Sequence, residues 1–402
     1  MLKQRAQERK AMLKRIIERL HAGEDAEALK SEFRELLAGV DAAEVARLEA
    51  ELVQEGLPRE KLQGLCEIHM ALFRESLGTE APRVPPWHPV FILMEEHEEM
   101  RGAAERLRAL ARDLAHGKTP PREEIAQLVH HLKASESHYV REENVLFPHL
   151  ERHGITEPPA VMWMEHDRIR AIKKDLFPLL DGDALIPSSE QAARAETAAA
   201  SLLSTVTSHF EKENQILFRA GLAALPENEW LAVRVEFDQL GYCCFTPEAP
   251  PPPEGTVPVR AAAVERTIPL PSGTLSFPEV EALLNTLPID VTFVGPDDTV
   301  RYFSQGKDRI FPRSPAIIGR TVQACHPQKS VHVVERILRD FKAGRRETAA
   351  FWINLGSRLV HIRYFPMRDS AGTYLGCLEV SQDITDLRRL EGERRLLDDT
   401  PG

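Results

Sequence analysis

The spacing of apolar and polar positions divides the chain into stretches with different periods. Residues 1–80 carry charged, amphipathic patterns punctuated by Gly23, Gly39 and Gly56, with Asp25, Asp41 and Pro58 near the following starts, and are predicted helical. PRVPPW at 82–87 breaks the pattern. From 88 to 222, apolar residues recur every three or four positions in four long runs. Pro89 opens the first and HGKTPP ends it; the second runs from Arg122 to His153, where Gly154 stops it. Pro158 and Pro159 start the third, and DGDALIPSS separates it from the fourth, which begins near Glu190. Four helices with short connections predict an antiparallel bundle.

After PEAPPPPEGTVP at 247–258, a semi-rigid polyproline-type segment, the period changes. VTFVG, VRYFS, AAFWI, LVHIRYF and YLGCLEV are short β-type runs, and the helical VHVVERILRDFKAG falls between the second and third. The fold class is therefore multidomain: an all-α N-terminal region and antiparallel four-helix bundle, then an α/β domain with an antiparallel sheet. The expected boundaries are a helical domain at 1–80, the bundle at 84–241, a Pro-rich linker at 242–274, the α/β domain at 275–389 and an amphipathic tail at 390–402.

Composition narrows the chemistry. A net charge of −11 speaks against general nucleic-acid binding, which needs Lys and Arg to neutralise phosphates. No apolar run approaches a membrane span, and the N-terminus lacks the apolar core of a signal peptide. Five scattered Cys do not form a disulfide framework, so a reducing, cytoplasmic setting is expected. The 15 His are unevenly placed, with ten of them between His88 and His209. His is the commonest transition-metal ligand.

Two of these His belong to a repeated phrase. SHYVREENVLF at 137–147 returns as SHFEKENQILF at 208–218, with one offset: 209 − 138 = 71 and 213 − 142 = 71. Positions i and i+4 share a helix face, so His138 pairs with Glu142 and His209 with Glu213. Leu146 and Leu217 follow at the next i+4, which places both pairs on the buried stripe. A carboxylate facing an apolar core is costly unless it is paired or binds a metal. The other two helices each offer a His in apolar register: His97 among Val90, Leu93, Met100 and Ala104, and His166 between Met162 and Ile169. Two metal ions bridged by Glu142 and Glu213, each with two His, would satisfy all six groups. Imidazole with carboxylate suits iron, with manganese and zinc as alternatives. The bland alternative is four separately hydrogen-bonded His and two solvated Glu; the doubled, in-register motif argues against it. Residues 97–101 read HEEMR, which is not His-Glu-x-x-His, and no Glu-x-x-His of the ferritin type occurs in the bundle.

EEHEEMR around His97, HYVREENVLFPHLE around His138, MWMEHDRIR around His166 and HFEKENQILF around His209 together resemble the hemerythrin family over about residues 86–222. Two positions depart from the oxygen carriers of that family: Met162 stands where they have a His, and Asn214 where they have an Asp. Glu213 supplies the carboxylate instead and makes the site symmetric. The set looks more like the di-iron proteins linked to iron-centre repair and nitrosative stress, which implies two Glu bridging two irons. His116, Tyr139 and Met162 are candidate accessory groups. LCEIHMALF at 65–73 is similar to a helical domain of unknown function (the 438 family) found joined to hemerythrin and PAS modules; Cys66 within it is a candidate redox residue.

LNTLPIDVTFVGPDDTVRYFS, IIGRTVQACHP, SVHVVERILRDFKAG and YLGCLEVSQDIT resemble a PAS domain over 278–386. That resemblance implies a small-ligand or haem or flavin sensor, or a dimeriser. His332 is the one candidate haem ligand on the long helix. No phosphate loop or kinase signature appears, so output is expected through a protein partner, with homodimerisation through the PAS domain. The first functional expectation is a non-enzymatic sensor of O₂, NO or redox state. The alternatives are a di-iron protein that reduces NO or peroxide or repairs iron centres, and a store of oxygen or iron.

Overall fold

The computed structural model describes residues 82–180, 189–252, 267–270 and 272–392, together with scattered positions between 11 and 55. Cys66, nearly all of the expected 1–80 domain and most of the 390–402 tail lie outside the described residues. The chain divides into two units near residue 259.

The first unit is helical. Helix α1 spans Pro89–Ala115; Pro89 has no amide to satisfy, and the buried His88 caps the turn by accepting from the Val90 amide through Nδ1 at 3.1 Å. Its buried stripe includes Val90, Leu93, His97, Met100, Ala104, Leu107 and Ala111, the helical repeat read from the sequence. The second predicted helix is not continuous. It forms α2 (Arg122–Ala134), α3 (Glu136–Arg141), a π-helical turn (Glu142–Leu146) and α4 (Phe147–Arg152). The break falls at Ser135, whose hydroxyl donates to the Leu132 carbonyl at 2.8 Å. Helix α5 covers Glu157–Leu180. Helix α6 (Ser189–Lys212) runs into a second π-helical turn (Glu213–Leu217) and α7 (Phe218–Ala224). A further helix, α8 (Glu227–Leu240), goes beyond the four-helix reading; Trp230, Val233 and Phe237 bury it against Phe147, Leu150 and Phe218. Among the described residues, no helix is long and apolar enough to cross a membrane.

The second unit is an α/β domain. A hairpin of β1 (Thr267–Leu270) and β2 (Gly273–Ser276) straddles the expected boundary between the linker and the α/β domain. Ser276 then caps α9 (Phe277–Thr286) through a capping box with Glu279. The five predicted strands appear as β3 (Asp290–Val294), β4 (Val300–Phe303), β5 (Ala349–Leu355), β6 (Arg358–Arg368) and β7 (Tyr374–Asp383). They form one antiparallel sheet ordered β4-β3-β7-β6-β5. Helix α10 (Gln328–Lys342) contributes Ile337, Leu338 and Phe341 to a core shared with Val294, Val300 and Cys377. His332 on α10 is exposed, so its imidazole lies outside that core and the haem-ligand expectation gains no support.

Lys173 is buried in the bundle, donating to Ser135 Oγ at 2.6 Å with its Nζ 4.8 Å from the Tyr139 ring centre. Burial pushes its pKa down to about 8. Below that pH the folded state carries the cost of a buried ammonium. Between about 8 and the ordinary Lys value the unfolded chain binds more protons, so stability rises with pH. Lys173→Met is expected to stabilise the bundle at pH 7 by on the order of 1–3 kcal/mol. It should also remove the rise in stability on the alkaline side. Chemical denaturation of both proteins from pH 7 to 10 measures this; parallel profiles would contradict it.

Candidate metal centre

Six side chains from four helical segments meet in the bundle interior. His97 comes from α1, His138 from α3, His166 from α5 and His209 from α6, while Glu142 and Glu213 are the first residues of the two π-helical turns. Five of the six are 0 % exposed and His97 is 2 % exposed, so no bulk water offsets their polarity. They form two overlapping groups: His97, His138, Glu142 and Glu213; and Glu142, His166, His209 and Glu213. Within each group the ligand atoms lie within 4.8 Å of one another.

The carboxylates join the two groups. Glu213 places Oε2 3.0 Å from His97 Nε2, and Oε1 3.0 Å from His209 Nε2 and 3.7 Å from His166 Nε2. Glu142 Oε2 lies 3.4 Å from His138 Nε2 and 3.3 Å from His166 Nε2. All four Nε2 atoms and all four carboxylate oxygens are buried without a hydrogen-bond partner. Eight unsatisfied atoms converging in an apolar interior are costly, and one or more cations would satisfy them. The donor set therefore fits a metal cation.

The π-helical turns set this arrangement. In each, the amide of the residue after the turn bonds back five positions, Phe147 to the Glu142 carbonyl and Phe218 to the Glu213 carbonyl. A single expanded turn inserts one residue into a helix and is frequent at functional sites. Both expansions start at the shared carboxylates, at the 71-residue offset of the repeated phrase.

Behind the inner ring stand residues the sequence reading did not single out. His138 Nδ1 lies 2.6 Å from Glu96 Oε2, His166 Nδ1 2.8 Å from Glu143 Oε1, and His209 Nδ1 2.9 Å from Glu165 Oε2. Each carboxylate has a cation: Arg141 donates to both oxygens of Glu96, Arg170 to Glu143 at 2.8 Å, and Lys212 to Glu165. Such outer carboxylates fix the tautomer and orientation of a ligating imidazole. Glu96 has further partners. Thr246 donates its hydroxyl to Glu96, and Arg141, itself fully buried, donates to the Gly241 carbonyl at 2.8 Å. Glu96 and Glu165 each directly precede a candidate ligand, and Glu143 directly follows one; that adjacency was the available sequence signal.

The candidate accessory groups separate. Tyr139 is 0 % exposed, with its ring centre 4.5 Å from that of His166 and its hydroxyl without a partner. Met162 is buried in the apolar cluster with Val90, Leu93 and Val161. His116 is not at the site: it ends α1 on the surface, where its Nδ1 bonds the Arg112 carbonyl at 2.7 Å. Nineteen residues of helix separate it from His97, about 28 Å at the α-helical rise.

The site's own electrostatics oppose two free carboxylates. Burial, reinforced by Glu213, pushes Glu142 up to about 8. Burial acts the same way on Glu213, but the charge of His209 and the nearby imidazoles of His166 and His97 hold it well below the carboxylate range. Burial lowers His138 to about 4, and so keeps it neutral. His166 and His209 are raised despite burial, by Glu142, Glu143 and Glu213 for the first and chiefly by Glu213 and Glu165 for the second.

Comparison with known families follows the same division. Residues 88–220 match the hemerythrin HHE cation binding domain, residues 13–79 a family of unknown function (DUF438), and residues 280–385 a PAS domain. No curated protein matches the chain. Among solved structures, the C-terminal domain of a Streptococcus mutans protein is 31% identical, covers 32% of this chain and 98% of its own, and has a TM-score of 0.30. The sensor region of a sensor histidine kinase is 18% identical over 25% of this chain and 41% of its own, with a TM-score of 0.18. A sensory box sensor histidine kinase from Vibrio cholerae is 13% identical over 26% of this chain and 89% of its own, with a TM-score of 0.21.

At pH 7 an incoming cation must displace protons held by Glu142 and His166. As pH rises through about 8 there are fewer to displace, so affinity should rise with pH, roughly tenfold per unit for each proton released. Calorimetric titration with ferrous or zinc ion from pH 6 to 8, in buffers of different ionisation enthalpy, measures both quantities. A pH-independent affinity without proton release would contradict this picture.

Proposed function

We propose that this hemerythrin HHE and PAS domain protein is a non-haem di-iron sensor of O₂, NO or redox state, with its PAS domain passing the response to a protein partner. The observation that carries the reading is the convergence of eight buried, unpartnered donor atoms in two groups that share both carboxylates. Two ions would satisfy this set more fully than one: His97 and His138 would hold the first, His166 and His209 the second, and Glu142 and Glu213 are common to both groups. Four imidazoles and two carboxylates suit iron, which supplies reversible redox chemistry and affinity for diatomic gases.

The chain's residues select the ligand by size and polarity. With all six groups buried, only a small molecule fits beside them. Phe147, Phe210 and Phe218 lie against the imidazoles and exclude water. Tyr139 holds its unpartnered hydroxyl in the same interior, as a donor for a small polar ligand. The same enclosure would serve an enzyme that reduces NO or peroxide, so the two readings separate on turnover.

Protein produced with iron should contain about two irons per chain by elemental analysis if each ion takes two His. His138→Ala and Glu213→Ala should lower that count; an unchanged count would mean that other residues are the ligands. The loaded protein should bind O₂ or NO reversibly, with a changed absorption spectrum and little consumption. Sustained consumption of NO or peroxide at catalytic rates would replace the sensor reading with the enzymatic one.

A further inference from the structure

The three outer carboxylates follow one direction around the bundle. Glu96 on α1 serves His138 in the next segment, Glu143 in that segment serves His166 on α5, and Glu165 on α5 serves His209 on α6. A fourth link would run from the segment of His209 back to His97 and close the ring. The internal repeat locates it: the offset that pairs Glu142 with Glu213 pairs Glu143 with Asn214, since 214 − 143 = 71. That position carries an amide. Among the described residues no carboxylate reaches His97 Nδ1, which is buried without a partner, and Asn214 Oδ1 is also buried without one. His97 is held by ring packing instead, stacked on Phe210 at 4.2 Å and 8° and near-parallel to Phe218 at 5.7 Å and 11°.

Packing and charge do different things to a ligand. Aromatic stacking fixes the plane of the His97 ring. It does not raise the basicity of Nε2, as an anion on Nδ1 does through the other three rings. Loss of such an outer partner typically costs about 10–100-fold in metal affinity. The inner ring of four His and two Glu is balanced, and the imbalance lies one shell further out.

We propose that the two ion positions are unequal, and that the ion held by His97 and His138 is the exchangeable one because Asn214 leaves the ring of carboxylates open at His97. This rests on the two-ion reading above. One ion is then retained by His166 and His209, both backed by charge-paired carboxylates, while the other comes and goes with the supply of metal. The chain thereby responds to metal availability as well as to whatever binds the filled centre.

The full-length protein, loaded with iron without oxygen and challenged with a ferrous chelator, tests this through the metal remaining over time. One ion should leave at least about tenfold faster than the other. His97→Ala should abolish the fast phase and leave the slow one. Asn214→Glu or Asn214→Asp should slow the fast phase, and Glu165→Gln, which opens a second link, should speed the slow one. Loss of both ions at a single rate in the wild-type chain would overturn the proposal, as would a fast phase unchanged in an Asn214→Glu protein that holds two ions. A wild-type chain that never holds more than one ion would overturn the two-ion reading itself, and the count at time zero separates that failure from the others.

Discussion

Two carboxylates face each other in a closed apolar interior, and the rest of the bundle is arranged around that conflict. Like charges brought together away from water cannot both stay ionised without compensation. Here Glu142 moves towards the protonated form while Glu213 stays ionised against three imidazoles. Yet every oxygen of the pair lacks a conventional partner. Hydrophobic burial alone would expel such a pair. A cation held by Glu142, Glu213 and the four imidazoles would turn the repulsion into attraction, so fold and metal loading are expected to be linked.

The helices accommodate the conflict by changing their winding. A regular α-helix carried through Glu142 or Glu213 has no extra residue to absorb, and each π-helical turn takes in one at the carboxylate itself. The outer layer then balances charge pair by pair. Glu96 is set against Arg141, Glu165 against Lys212, and Glu143 against Arg170, which also pairs with Glu136. The outer carboxylates still act on the imidazoles they orient, raising His166 and His209 together with the inner pair.

Much of this was legible in the sequence. His97, His138, His166 and His209 share register with apolar neighbours, and helical periodicity is enough to aim all four inward. The doubled His-x-x-x-Glu phrase did the same for Glu142 and Glu213. The outer carboxylates were marked only by adjacency to an inner ligand, and their role was not legible because each reaches an imidazole on a different helix. Chain spacing carries no record of that crossing. The π-helical turns were hidden for another reason: Leu146 and Leu217 fall at the i+4 positions expected of a plain α-helix, and only the backbone bonding shows the expansion. Helix α8 was missed because the four-helix repeat already accounts for the six ligands and ends before it, and the β1–β2 hairpin because its strands are four residues each. His116 was drawn towards the site by resemblance, while its place at the far end of α1 keeps it away.

One bond bears on where this domain ends. Thr246 reaches Glu96 across 150 residues of chain, and Gly241 receives Arg141 beside it, although the family match stops at residue 220. All six inner ligands lie before that limit. A bundle excised there would keep every candidate ligand and lose the groups that steady the carboxylate behind His138. The smallest portable unit, for grafting into another protein or for tracing descent by recombination, therefore runs to residue 246. Its boundary is drawn by a hydroxyl and a carbonyl, and not by the end of sequence similarity.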